Sequence, residues 1–251
     1  MGGAERNARK KKQQQLAAKS VATARGTSND RNRIVIGVVV VVVLAAVVVG
    51  GVLWSRSDAK PSLADLPPVT GVSAPIERDG GAVVVGRDDA KVTLDLYEDF
   101  LCPACGNFKK TYGEQIKQEI EAGKLRVRYH VLPFLNRYSD PEGYSRDSAN
   151  AALCAADAGK FWEYHETLFL RQPEEGGPGY TKAELAKLGA DLGITGDAFQ
   201  QCVDGGAHEQ DAQAGLDAVK ATGNFGGTPT VMKDGQVVDW DDRDWLTTLL
   251  K

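Results

Sequence analysis

Cys102-Pro103-Ala104-Cys105 is the strongest chemical signal in the sequence. A thiolate, not a thiol, attacks a disulfide. Pro103 suits the first position of a helix, where a backbone N–H has no intrahelical partner in any case. Cys102 then stands at the helix N-terminus. Unpaired N–H groups and the helix dipole there favour negative charge and draw a thiol pKa down from about 8.5. Cys105 follows one turn on, close enough to pair with it and more deeply placed. The pattern assigns Cys102 as the nucleophile and Cys105 as the thiol that resolves a mixed disulfide. The same spacing is also half of a zinc site. Two further ligands would be needed, and the sequence has neither a second C-x-x-C nor an H-x-x-x-H. Thiol–disulfide exchange requires no metal and no cofactor.

Cys154 and Cys202 complete an even count of four cysteines. In an oxidising compartment both are expected to be oxidised. A structural staple between them would stabilise the domain by roughly 4 kcal/mol through loop closure. A second redox pair that relays electrons is the other reading. The three histidines, His130, His165 and His208, have no metal-ligand spacing and read as surface or locally satisfied side chains. Trp162, Trp240 and Trp245 read as core or groove-lining residues. The Gly/Pro-rich stretch 171–180 fits either a border of the substrate groove or a plain connection.

The elements that must position these residues follow from pattern. Ala82–Val85 is a short apolar run between glycines, hence a strand. Val92–Tyr97 alternates and gives a second strand, ending just before the cysteine pair. A helix runs from Pro103 to about Ala122, closed by Gly123, and Leu125–Val131 alternates again. This strand–helix–strand unit has the length of a parallel crossover. From Ser145 to about Ala221 only helical patterns occur, one of them opened by the capping box Thr181-x-x-Glu184. Asp234-Gly235 between Val231-Met232 and Gln236–Val238 signals a hairpin. Asp242–Leu250 predicts a last helix.

Composition frames this domain. With 42% hydrophobic and 25% charged residues, the 251-residue chain has enough apolar material for a core. Its net charge of -4 conceals an asymmetry: residues 1–33 sum to +7, residues 34–54 carry no charge, and the remainder is acidic. Ile34–Trp54 spans 21 apolar residues, enough for one bilayer crossing. The basic flank predicts a cytoplasmic N-terminus and an extracytoplasmic body. Next to a membrane span, the Lys-rich tail reads as a topogenic signal with some attraction to anionic lipid rather than as a nucleic-acid arm. The expected organisation is a basic disordered tail (1–33), a transmembrane helix (34–54), a Pro-rich linker (55–78) and an α/β domain (79–251) with a helical insertion at about 142–221.

The element order and the motifs together resemble the DsbA-like branch of the thioredoxin superfamily. Leu96–Cys105 is similar to that family's active-site segment, and Phe161–Phe169 to a helix of its insertion; the resemblance covers roughly residues 80–251. It implies a thioredoxin-like fold and thiol:disulfide oxidoreductase activity. It also implies a cis peptide bond before Pro229, in a loop that abuts the cysteine pair, and a Thr228 whose backbone receives substrate peptide like an added strand. The partners implied are exported proteins with cysteine thiols and a quinone-linked membrane oxidase of the DsbB or vitamin K epoxide reductase-like kind. Two departures matter. Ala104 stands where strongly oxidising members often carry His, which argues for a milder oxidant. Leu96 stands where thioredoxins often bury an acid, which argues against efficient reduction. The alternatives are a reductase or isomerase, or a non-catalytic metal-delivery module using the cysteine pair.

Overall fold

Six strands form one mixed sheet: β1 (Ile76–Asp79), β2 (Ala82–Val85), β3 (Val92–Glu98), β4 (Leu125–Val131), β5 (Thr230–Lys233) and β6 (Gln236–Val237), in the order β1-β2-β4-β3-β5-β6. The computed structural model describes Ser62 and residues 69–251, which fall within one compact unit. The basic tail and the span expected at 34–54 lie outside the described residues. Among the described residues no helix is long and apolar enough to cross a membrane.

β3 and β4 pair in parallel, Val92 against Leu125 through Glu98 against Val131, and all other pairings are antiparallel. Between them runs α1 (Pro103–Glu121), the connection a parallel pair requires. Its buried residues Cys105, Phe108, Tyr112, Ile116 and Ile120 recur every three or four positions and form one face against the sheet. Burying each large apolar side chain there contributes roughly 1.5–3 kcal/mol.

The helical insertion comprises α2 (Tyr144–Asp157), α3 (Phe161–Leu170), α4 (Lys182–Asp191), α5 (Asp197–Gly205) and α6 (Glu209–Ala221). α2 is its centre: Ser145, Ser148 and the run Ala149–Ala155 are buried, and their small side chains let neighbouring helices approach. α4 opens with both halves of the Thr181–Glu184 capping box. Together the sheet, α1 and the insertion make a thioredoxin-like α/β fold with a helical insertion.

Three differences from the sequence expectations have physical causes. The Pro-rich linker does not run to residue 78: Val72, Ala74 and Ile76 alternate inward with period two and pack with Val69 on the core, and β1 starts at Ile76, ahead of the domain start expected at Asp79. Thr70 is stitched down as well, its carbonyl accepting from Trp162 Nε1 at 3.2 Å and Lys117 Nζ at 3.3 Å. The last helix, α7 (Trp245–Leu249), starts later than Asp242. Asp239 and Asp242 side chains accept the N–H groups two residues on, at 3.1 and 3.0 Å, and hold this stretch in turns. The Asp234-Gly235 hairpin turn, in contrast, has the positive φ angles its type requires, 52° and 76°.

Candidate active site

Cys102 is the N-cap of α1, and Pro103 follows at the start of the helix. Its Sγ donates to the Thr228 carbonyl at 3.1 Å, and the Thr228–Pro229 peptide bond is cis. The β5 approach loop thereby lies against the cysteine pair. Both thiols are free and buried, Cys102 at 6% and Cys105 at 1% exposure. Their acidities diverge. The Cys102 pKa is lowered to about 6, chiefly because Cys105 donates a hydrogen bond to it; the N–H groups of Cys105 and Ala104 add to this against the opposing effect of burial. Burial pushes the Cys105 thiol well up, and its bond to Cys102 and the Cys102 charge push it further. Cys102 is thus the more acidic thiol, favouring the thiolate at neutral pH once it gives up the proton that faces Thr228, while Cys105 favours its protonated form.

Two further residues hold the Phe100–Cys102 turn, and pattern reading singled out neither. Asp99 is 1% exposed. Its Oδ1 accepts from Leu101 N and Ser145 Oγ, both at 2.8 Å, and its Oδ2 from Leu135 N at 2.7 Å. Gln172 Nε2 donates to the carbonyls of Phe100 at 3.0 Å and Cys102 at 2.8 Å. Gly106 makes room for it, since a Cβ there would sit 2.2 Å from Gln172 Oε1. The 171–180 stretch therefore borders the site through Gln172. The acidic signal six residues before the nucleophile is absent at Leu96, but Glu98 and Asp99 are buried nearer to it.

Burial raises the Asp99 pKa to about 6, against its three hydrogen-bond donors. A carboxyl raised in the fold favours the protonated state, so its contribution to stability is complete below about pH 4 and is lost as pH rises through about 6. The amount is up to about 3 kcal/mol. Asp99→Asn is expected to remove this slope. At pH 7 it should also cost about 1–3 kcal/mol, because an amide NH2 would face a backbone donor. Urea unfolding of wild type and variant at pH 4 to 7 checks both; parallel profiles would refute the assignment.

The structure joins Cys154 on α2 to Cys202 on α5. Asn150 reinforces the junction: Nδ2 donates to the carbonyl of Val203 at 3.3 Å, and Oδ1 accepts from His208 N at 2.8 Å. Cys154→Ala with Cys202→Ala is expected to lower unfolding free energy by about 2–5 kcal/mol while thiol–disulfide exchange continues. Loss of turnover in a fully folded double variant would instead favour the relay reading. The metal-ligating group found among the described residues is Cys154, Cys202 and His208, whose two sulfurs are in this disulfide.

His130 bonds Asp95 at 2.8 Å and stacks on Tyr97, and His208 sits between Asp157 and Asp211. His165 is different: it is fully buried and bonded to buried Glu98. Trp162 and Trp245 are core residues, whereas Trp240 lines an open cleft of about 680 Å³ together with Ala104, Phe108 and Tyr112.

The family profile described as thioredoxin matches residues 78–251. The serine/threonine-protein kinase PknE of Mycobacterium tuberculosis is 33% identical over 177 residues, which are 67% of this chain and 31% of the kinase, so the chain spans about a third of that relative's length. The reduced disulfide bond oxidoreductase DsbG of M. tuberculosis is 29% identical with a TM-score of 0.58, over 68% of this chain and 86% of that one. Reduced DsbA of M. tuberculosis is 28% identical with a TM-score of 0.58, over 68% and 91%.

Proposed function

The chain belongs to the thioredoxin family, and from that membership we propose that it is a DsbA-like thiol:disulfide oxidoreductase that introduces disulfides into exported proteins. The observation that carries this reading is the split between an acidic Cys102 and a proton-retaining Cys105 at one helix end. In the oxidised enzyme a substrate thiolate attacks Cys102 Sγ, and Cys105 leaves. A second substrate thiolate then attacks the substrate sulfur of the mixed disulfide, and Cys102 departs readily because its thiolate is stabilised. Thr228 and the Ala104–Trp240 cleft flank the place where the substrate chain would lie.

The same stabilisation sets the direction. Compared with a thiol of pKa 9.0, a Cys102 of about 6 favours the reduced form by about 1.4 kcal/mol at pH 7, or about 30 mV. A lowered pKa gives a gain that is full above pH 9, partial at neutrality and lost as pH falls through 6. The reduction potential is expected between about -270 and -120 mV, the thioredoxin and DsbA values. Ala104→His should raise it by supplying a further donor. A wild-type potential at or below the thioredoxin end would favour a reductase instead.

The cellular setting proposed with this activity rests on the sequence. The uncharged 21-residue span after a +7 tail supports anchoring in the plasma membrane with the domain outside. A quinone-linked membrane oxidase of the DsbB or vitamin K epoxide reductase-like kind would recharge the enzyme there. Carbonate washing should leave the protein in the membrane fraction; a soluble form beginning near Ser55 would overturn the anchor.

A further inference from the structure

The Cys154–Cys202 disulfide is not sealed in the core. Both cysteines line an open pocket of about 470 Å³ between α2, α5 and the turn that precedes α5. Cys154 is 2% exposed, whereas Cys202 is only half-buried, so an incoming group meets Cys202 first. Ile194 and Phe199 make one side of the pocket apolar, and Thr195 and Lys160 make another polar. Of the two charges in its lining, Asp157 is already bound by Arg78 and by His208, each at 2.7 Å. Lys160 pairs with Glu163 at 3.2 Å and keeps its side chain 37% exposed. The first turn of α5 adds to the pull on an anion, against the charge of Asp197 in the same turn. Its N-cap Gly196 supplies no side-chain acceptor for the free N–H groups there, and Ala198 and Phe199 of that turn line the pocket.

A disulfide in the wall of a pocket is an electrophile, and the group that attacks it is a thiolate. The charges beside it select the rest of the attacking molecule, because an exposed ammonium next to the bond favours a carboxylate. We propose that this pocket captures small carboxylate-bearing thiols, with Lys160 holding the acid and Cys202 Sγ taking the sulfur. The site goes beyond the exchange at Cys102 and Cys105, which belongs to the start of α1, and gives the staple a second role.

The step balances. The small thiol gives its proton to solvent, and its thiolate attacks Cys202 Sγ. A new S–S bond joins it to Cys202, the Cys154–Cys202 bond breaks, and the electron pair goes to Cys154 Sγ, which takes up a proton. The small thiol is oxidised to the mixed disulfide and Cys154 is reduced to a thiol, so no other oxidant or reductant enters. The surroundings suit that product. Asn150 Oδ1 lies 3.9 Å from Cys154 Sγ and can accept from the new thiol, and a ring nitrogen of His208 lies within 4.8 Å of both sulfurs. Asn150 Nδ2 also donates to the carbonyls of Cys202 and Val203, at 3.4 and 3.3 Å. These bonds keep α2 and α5 joined while the disulfide is open, and Cys154 stays placed to expel the captured thiol and close the bond again.

The test uses the oxidised full-length protein in detergent, with Cys102→Ala and Cys105→Ala so that Cys154–Cys202 is its one disulfide. It is treated with N-acetylcysteine or with N-acetylcysteinamide, which differ in one carboxylate, and quenched in acid. The folded protein is expected to open, with the adduct mass on the Cys202 peptide and a free thiol on Cys154. Lys160→Gln should lower the acid-to-amide ratio of opening rates about two- to fivefold, the scale of one partly exposed ion pair. It should leave the amide's rate unchanged. Comparing that ratio between the two proteins cancels the different acidities of the two reagents. A disulfide that opens only when urea unfolds the chain is a sealed staple and overturns the proposal. An adduct on Cys154, or the same ratio with and without Lys160, overturns it as well. Should the protein without Cys102 and Cys105 fail to fold, the same mapping on wild type decides, because adducts on Cys202 and on Cys102 fall in different peptides.

Discussion

Cys105→Ala is expected to accumulate mixed disulfides with substrate proteins through Cys102, and Cys102→Ala to lose exchange altogether. At pH 7 a thiol with a pKa of about 6 is about 90% thiolate, whereas one at 9.0 is about 1%. Only Cys102 is therefore both nucleophilic and placed at the Thr228 loop; Cys105 keeps its proton and is 1% exposed. Without Cys105 the adducts form by attack of the Cys102 thiolate on a substrate disulfide, and the neighbouring thiol that could break them by attacking Cys102 Sγ is gone. The substitution also removes the hydrogen bond that contributes most to the low Cys102 pKa, so the trapping variant should titrate higher than wild type. Thiolate absorbance against pH measures this, and non-reducing electrophoresis detects the adducts. Adducts that form through Cys105 in the Cys102→Ala protein would reverse the assignment.

The largest loss of stability is expected from Glu98→Leu. It would leave the buried His165 imidazole, otherwise ringed by aromatics, with only the longer contact to Glu166 at 3.4 Å, and breaking one side of a buried ion pair typically costs about 3–5 kcal/mol. Glu98→Leu with His165→Phe should recover most of that loss, since neither charge then remains and the replacements are apolar. A raised histidine pKa adds stability that is complete below about pH 6.5 and lost as pH rises through the folded value, so wild type should lose this part on the alkaline side and the double variant should not. Urea unfolding across pH 6 to 9 measures both effects. A single variant within about 1 kcal/mol of wild type would mean that the pair carries no net charge interaction.

Much of this arrangement was legible in the sequence because it is local. Pro103 and the helical spacing of Phe108, Tyr112 and Ile116 mark α1, Leu125–Val131 alternates without a break, and Asp234-Gly235 specifies its own turn. What escaped joins residues far apart. Gln172 reaches the active-site turn across 70 residues, and nothing in its neighbourhood signals that. The Glu98–His165 pair did leave a trace. Glu98 continues the inward phase of Val92, Leu94 and Leu96, and His165 lies one turn from Phe161 and from Phe169 on α3. Polar residues at positions that periodicity assigns to the core must find partners there. Ending the strand at Tyr97 and reading His165 as a surface or locally satisfied side chain missed that requirement. β1 was hidden by Pro75 and by the charges of Glu77, Arg78 and Asp79, which look like linker.

Those same charges have a consequence for life among unfolded chains. An enzyme that receives extended polypeptides risks having them zip onto its own sheet, because exposed strand edges are templates for pairing and aggregation. Here one edge is β1, four residues long with Glu77, Arg78 and Asp79 exposed, and the other is β6, only two residues long. Both margins are poor templates. An extended chain has little to gain by adding to either, and the same short, charged margins keep copies of the enzyme from stacking edge to edge.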